Sequence, residues 1–81
     1  MGYYEVLNFL VNKRASGDET YYTIPQIVKG LLEQGFSDNG VNGICLKLEY
    51  DGYAEARMNS DLKNWLRVYR ATTKAVRGRY G

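Results

Sequence analysis

Three stretches of the chain repeat apolar residues every three or four positions, the spacing that places side chains on one face of an α-helix. They cover about residues 3–15, 23–35 and 37–52. Their polar residues fall on the opposite face, so each stretch predicts an amphipathic helix. The expected buried stripes are Tyr3, Val6, Leu7, Leu10 and Val11 in the first helix, Ile24, Ile27, Val28, Leu31 and Leu32 in the second, and Val41, Ile44, Cys45 and Leu48 in the third.

The ends of the second and third helices carry recognisable capping residues. Thr23 suits an N-cap, and Pro25 stands in the first turn, where its missing N–H does no harm. Gly35 suits the left-handed position that closes the second helix. The third helix then begins at Ser37, or at the residue after it, and ends at Gly52.

After the third helix the period changes to the alternation of β-strands. Residues 53–58 and 65–72 alternate side-chain types and are separated by a polar turn cluster at 59–61, which predicts a β-hairpin. Residues 19–23 are rich in β-formers and predict a short extra strand. Residues 73–81 have little apolar content and predict either a frayed end or a short basic extension. The expected fold class is α+β.

The length allows one domain, and the charge along it is uneven. With 81 residues, the chain has a small core. Residues 1–56 carry four basic and eight acidic side chains, whereas residues 57–81 carry seven basic and one acidic. A basic final third favours a polyanionic partner at that end. The alternative is a tail that only aids solubility.

The rarity of reactive side chains argues against catalysis. The chain has no histidine and one cysteine, Cys45, so it lacks the commonest metal ligand and cannot form an internal disulfide. It also lacks a glycine-rich phosphate motif. We therefore expect no enzymatic activity, no metal and no cofactor. Without a membrane-length apolar run or a signal peptide, we expect a cytoplasmic protein.

The second and third helices, joined by a tight glycine-containing turn, have the outline of a helix-turn-helix. Residues 48–53 (LEYDGY) and 65–72 (WLRVYRAT) resemble the stretch from recognition helix to wing in winged helix-turn-helix regulators of the PadR-like type. The resemblance covers about residues 3–73 and implies a winged helix domain followed by a basic extension, 74–81. It also implies a regulator that binds double-stranded DNA. The third helix, however, carries fewer basic residues than is usual in such regulators.

In winged helix domains the third helix enters the major groove. With its apolar stripe turned inward, this helix directs Asn39, Gly43, Leu46 and Tyr50 outward. Asparagine amides can bond to adenine, and leucine can contact the thymine methyl group. Gly43 either allows close approach to DNA or is merely tolerated, and Ser37 either caps the helix or also holds a phosphate. The candidate residues on this element are Ser37, Asn39, Asn42, Gly43, Leu46 and Lys47.

The predicted hairpin supplies most of the positive charge. Basic side chains there suit contacts to phosphates, which give affinity without reading sequence. The alternative is that they only protect an exposed strand edge. The candidate residues on the wing are Arg57, Asn59, Ser60, Lys63, Asn64, Arg67 and Arg70.

Three further expectations accompany this interpretation. The protein is expected to act as a homodimer, with Tyr4 and Phe9, which lie off the apolar stripe of the first helix, as the contact between copies. A winged helix module for protein–protein interaction is the alternative from another functional class. The eight tyrosines also permit binding of RNA or single strands by base stacking.

Overall fold

Among the residues that the structure describes, a helix precedes the first β-strand, helices connect it to the second, and a helix follows the last. A computed structural model describes residues 2–59 and 66–78. Within these residues the chain forms a small α+β fold, as the hydrophobic pattern predicts. The helices are α1 (Tyr3–Ala15), α2 (Ile24–Gly30), α3 (Asp38–Tyr50) and α4 (Thr73–Gly78), with a 3₁₀ turn at Leu32–Gln34, and the strands are β1 (Tyr22–Thr23), β2 (Ala54–Asn59) and β3 (Leu66–Ala71).

The described strands form one antiparallel sheet in the order β1-β3-β2. The register pairs Met58 with Arg67 and Glu55 with Arg70. Since side chains alternate across a strand, Arg67 lies on one face of the sheet and Arg70 on the other. The face that carries Arg67 also carries the fully buried Tyr69 and covers the core.

The core joins α1, α3 and the sheet. Four residues of α1 point inward, as its stripe predicts, and meet the buried residues of α3 and β3. Ile44 of α3 is only partly buried, at the edge of this core. The buried apolar residues are Val6, Leu7, Leu10, Val11, Ile27, Val41, Cys45, Leu48, Ala54, Val68, Tyr69, Ala71 and Ala75.

The predicted N-caps of the second and third helices are confirmed. The Thr23 hydroxyl accepts from the backbone N–H of Gln26, whose side chain accepts from the Thr23 N–H, so α2 begins with a full capping box. The Ser37 hydroxyl accepts from the Gly40 N–H at 3.0 Å and begins α3. Gly35 (φ 74°) adopts the predicted left-handed conformation, but it closes the 3₁₀ turn rather than α2, and Gly52 (φ 85°) follows the end of α3 in the same conformation.

The second helix is shorter than its stripe predicts. The α-helix ends at Gly30 and passes into the 3₁₀ turn, which changes the angular spacing of its residues. Leu32, expected in the core, is consequently 71% exposed. The Phe9 ring packs where a side chain on Gly30 would stand, since a Cβ there would lie 2.3 Å from that ring. Helices α1 and α2 therefore pack closely at this glycine.

The expectation of a frayed segment after residue 72 is wrong for Thr73–Gly78. These residues form α4, and Ala75 is fully buried. The Thr72 hydroxyl caps the helix by accepting from the Ala75 N–H at 3.2 Å. A single small buried residue leaves almost no periodic signal, because contact with α1 rather than an apolar stripe holds this helix.

Candidate nucleic-acid interface

Helix α3 presents one continuous exposed surface, which we call the outer face: Asn39, Gly43, Leu46 and Tyr50, flanked by Asn42 and Lys47. All of these residues are exposed, with Leu46 at 45% and Tyr50 at 89%. The opposite side of the helix buries Val41, Cys45 and Leu48 completely. The 3.6-residue period thus places the outer face where the sequence predicts it.

The two asparagines of α3 have uncommitted side-chain amides. Within residues 2–59 and 66–78, neither the Asn39 nor the Asn42 side chain forms a hydrogen bond or another polar contact. Each amide carries donors and an acceptor. Both are therefore available to an external partner that offers the complementary pattern.

The two glycines of α3 differ in what surrounds them. A Cβ on Gly40 would lie 3.1 Å from the Ser37 hydroxyl oxygen, so this glycine leaves room for the helix cap. A Cβ on Gly43 would meet no atom within 4 Å. Gly43 lies inside a regular helix, where glycine costs about 1 kcal/mol relative to alanine. No packing contact within the described chain explains that cost.

The outer face borders an open groove of about 710 Å³ between α3 and the start of α1. Asn39, Gly43 and Lys47 line one wall, and Tyr3 and Tyr4 line the other. The Tyr3 hydroxyl donates to the Asp51 carboxylate at 2.6 Å, and burial together with this bond raises the pKa of Tyr3. This contact fixes the end of α3 against α1.

Arg67 joins the hairpin to α3. Its guanidinium donates to the carboxylate of Glu49 on α3, and its Nε donates to the Tyr69 hydroxyl at 3.1 Å. The bond to Tyr69, followed by the one to Glu49, raises the pKa of Arg67. Both members of the Arg67–Glu49 ion pair remain partly exposed. The first residues of β3 therefore lie beside α3, as a combined interface requires.

Arg70 and Arg57 lie on the other face of the sheet. The Arg70 guanidinium forms ion pairs with Glu55 at 3.3 Å and Glu19 at 3.5 Å. It also stacks 4.4 Å from the centre of the Tyr21 ring, and Arg57 approaches the same ring at 5.3 Å. Partial burial acts to lower the pKa of Arg70, but the hydrogen bond and charge of Glu55, together with Tyr21 and Glu19, raise it. The structure thus does not bring Arg70 and Arg57 together with Arg67.

Glu55 is the centre of this second cluster. Its carboxylate accepts from Arg14 at 3.0 Å and from the Tyr21 hydroxyl at 3.1 Å, besides pairing with Arg70. Partial burial acts to raise the pKa of Glu55, but the bonds from Arg70, Arg14 and Tyr21 hold it below its usual value. Arg14 and Glu55 stand far apart in the sequence, so no local pattern indicated this contact. The cluster ties α1 to the sheet.

The other candidate residues have varied positions. Asn59 is the last residue of β2, while Ser60, Lys63 and Asn64 lie outside the described residues. Phe9 packs edge-on against the Tyr22 ring, with centres 5.7 Å apart, so this side chain serves the packing of its own chain. Of the two residues expected at a contact between copies, Tyr4 is 62% exposed.

Burial raises the pKa of the Cys45 thiol to about 12, as suits a core residue. Across residues 2–59 and 66–78, no helix has the length and apolarity needed to cross a bilayer. Comparisons of the chain with protein-family models, with curated proteins and with solved structures gave no match.

Proposed function

We propose that this protein binds double-stranded DNA as a winged helix transcriptional regulator. Helix α3 enters the major groove, and the β2–β3 hairpin contacts the phosphate backbone. The observation that carries the proposal is the outer face of α3, with two uncommitted asparagine amides, next to Arg67 of the hairpin. Such a combination offers base contacts and a phosphate contact on neighbouring elements.

The order of elements agrees with this proposal. Two consecutive helices, α2 and α3, are followed by a hairpin, with the short strand β1 added to the edge of β3. This is the arrangement implied by the resemblance to winged helix regulators. Residues 31–37, which include the 3₁₀ turn, join the two helices, so their connection is longer than the tight turn that the sequence predicts. The 13 residues of α3 span about 20 Å, and a helix fits the major groove, which is about 12 Å wide.

The charges near α3 favour contacts to phosphates at the margins of the interface. Lys47 is exposed beside the outer face, and Arg67 lies next to α3. Glu49 neutralises Arg67 in the free protein, but an ion pair with this exposure contributes only about 0.2–1 kcal/mol. A phosphate can therefore replace the Glu49 carboxylate at small cost. Arg70, held by two carboxylates on the other face, is better explained as part of the fold.

Salt-dependent binding to a random duplex tests the proposal. We expect log K to fall linearly with log salt, and Lys47→Gln and Arg67→Gln each to reduce the slope by about 0.9, because each removes one phosphate contact. Fluorescence anisotropy with a labelled duplex measures both quantities. Lys29→Gln, which removes the same charge from an exposed position in the last turn of α2, serves as the control and should leave the slope unchanged.

A winged helix module for protein–protein interaction is the second candidate, favoured by the apolar exposure of Leu46 and Tyr50. Absence of salt-sensitive duplex binding near 50 mM salt would support that candidate instead. A clear preference for single strands over the duplex would favour binding through stacked bases.

A further inference from the structure

We infer that the outer face of α3 selects A·T base pairs over G·C pairs, reading adenine through its asparagine amides and the thymine methyl group through Leu46. The inference rests on the proposed duplex binding and adds the class of DNA sequence that this surface takes. It follows from the types of side chain that are exposed and uncommitted on α3.

The chemistry of the base edges sets what each side chain can read. In the major groove adenine offers one acceptor and one donor, which match the donor and acceptor of an asparagine amide. Guanine offers two acceptors, which match the donors of arginine or lysine, and thymine alone offers a methyl group. The outer face and its flanks carry two asparagines, one leucine and no arginine. Its hydrogen-bonding groups therefore match an A·T edge better than a G·C edge.

The position of Lys47, the basic residue of α3, is consistent with that selectivity. Lys47 lines the groove shared with Tyr3 and Tyr4, on the flank of the outer face opposite to Asn42, which does not line that groove. From there it suits a phosphate at the edge of the major groove. It therefore supplies affinity at the margin and leaves the base edges to Asn39, Asn42 and Leu46.

Gly43 makes the short asparagine side chains sufficient. An asparagine amide reaches a base edge only if the helix backbone comes close to the floor of the groove. Gly43 lies between Asn39 and Leu46 on the same face and has open space where a side chain would stand. One turn separates Asn42 from Leu46, a rise of about 6 Å, which corresponds to roughly two base-pair steps. An adenine contact and a methyl contact can thus be made in one docked position.

The test compares four duplexes of equal length, of which the first three differ from one another only in the major groove. The first is a mixed-sequence A·T duplex, the second replaces thymine by uracil, the third replaces adenine by 7-deazaadenine, and the fourth is a G·C duplex. Uracil lacks the methyl group and 7-deazaadenine lacks the N7 acceptor, while the minor-groove edges are unchanged. Anisotropy titrations at one salt concentration give the four affinities.

We expect the A·T duplex to bind at least tenfold more tightly than the G·C duplex, with a several-fold loss for each modified base. The Leu46→Ala variant should lose its sensitivity to uracil, and Asn39→Ala with Asn42→Ala its sensitivity to 7-deazaadenine. These residues are exposed, so the variants should keep the fold, which circular dichroism checks.

Equal, salt-sensitive affinity for all four duplexes would overturn the inference and leave the proposed function standing. Preference for the G·C duplex, or variants that lose affinity for every duplex alike, would overturn it as well. Binding to none of the four would overturn the proposed function itself, and this inference with it.

Discussion

Replacing Gly43 by leucine should stabilise the protein and weaken its binding to duplex DNA more than tenfold. The gain in stability arises because leucine is a much better helix former than glycine and because the space around Gly43 is open. We expect a rise of about 0.5–1 kcal/mol in the free energy of unfolding. The loss of affinity arises because the new side chain holds α3 away from the floor of the major groove. A tenfold loss of affinity corresponds to a cost of about 1.4 kcal/mol in the free energy of binding.

Urea unfolding and duplex titration of the same preparation measure the two effects. Gly43→Ala should give a similar gain in stability with a smaller loss of affinity, because its methyl group projects less far. Asn12→Leu, which adds a leucine at an exposed position of α1, is the control and should leave binding intact. If Gly43→Leu stabilised the fold and bound DNA as tightly as the native chain, close approach at Gly43 would be refuted.

Replacing Ile27 by alanine should destabilise the protein by about 2–5 kcal/mol, whereas Leu32→Ala should change its stability by less than about 0.5 kcal/mol. Both residues belong to one apolar stripe in the sequence. In the structure Ile27 is fully buried and Leu32 is 71% exposed beyond the end of α2. Because a small domain has only about 5–15 kcal/mol of stability, the Ile27 variant should be partly unfolded at moderate temperature.

Thermal and urea unfolding followed by circular dichroism give both values. Equal destabilisation by the two substitutions would mean that the helix continues to Leu32, as the sequence pattern alone predicts. A small effect of Ile27→Ala would contradict its place in the core. Because both substitutions remove a branched aliphatic side chain, the comparison isolates burial from side-chain chemistry.

The contrast between these two residues shows which parts of the fold can be predicted locally. Helix starts at Thr23 and Ser37 follow from side chains that bond to a backbone N–H three residues away, so they can be read from the sequence. The close packing of the Phe9 ring at Gly30, the last residue of α2, is instead a contact between two helices. Such contacts leave no periodic signal, and the same holds for α4.

The candidate site likewise has features that the local sequence predicts and features that depend on contacts between distant residues. The exposed residues of α3 were predicted correctly because a regular helix fixes their direction. Arg67 and Arg70 were grouped by charge, although positions three apart on a strand point to opposite faces. The alternation of side chains along a strand can be read from the sequence, and it separates these two arginines. The ion pairs of Arg70 with Glu55 and Glu19 cannot be predicted from the sequence, because they depend on the antiparallel register and on long-range packing.

Titration of the ¹⁵N-labelled protein with a duplex, followed by amide chemical shifts, tests most directly whether α3 and the start of β3 contact one polynucleotide together. We predict that the largest shifts cluster at residues 39–47 and at Arg67, in one saturable process weakened by salt. Tyr21, Arg57 and Arg70, on the other face of the sheet, should shift little. Largest shifts around Tyr21 and Arg70, with α3 unchanged, would contradict the proposed interface.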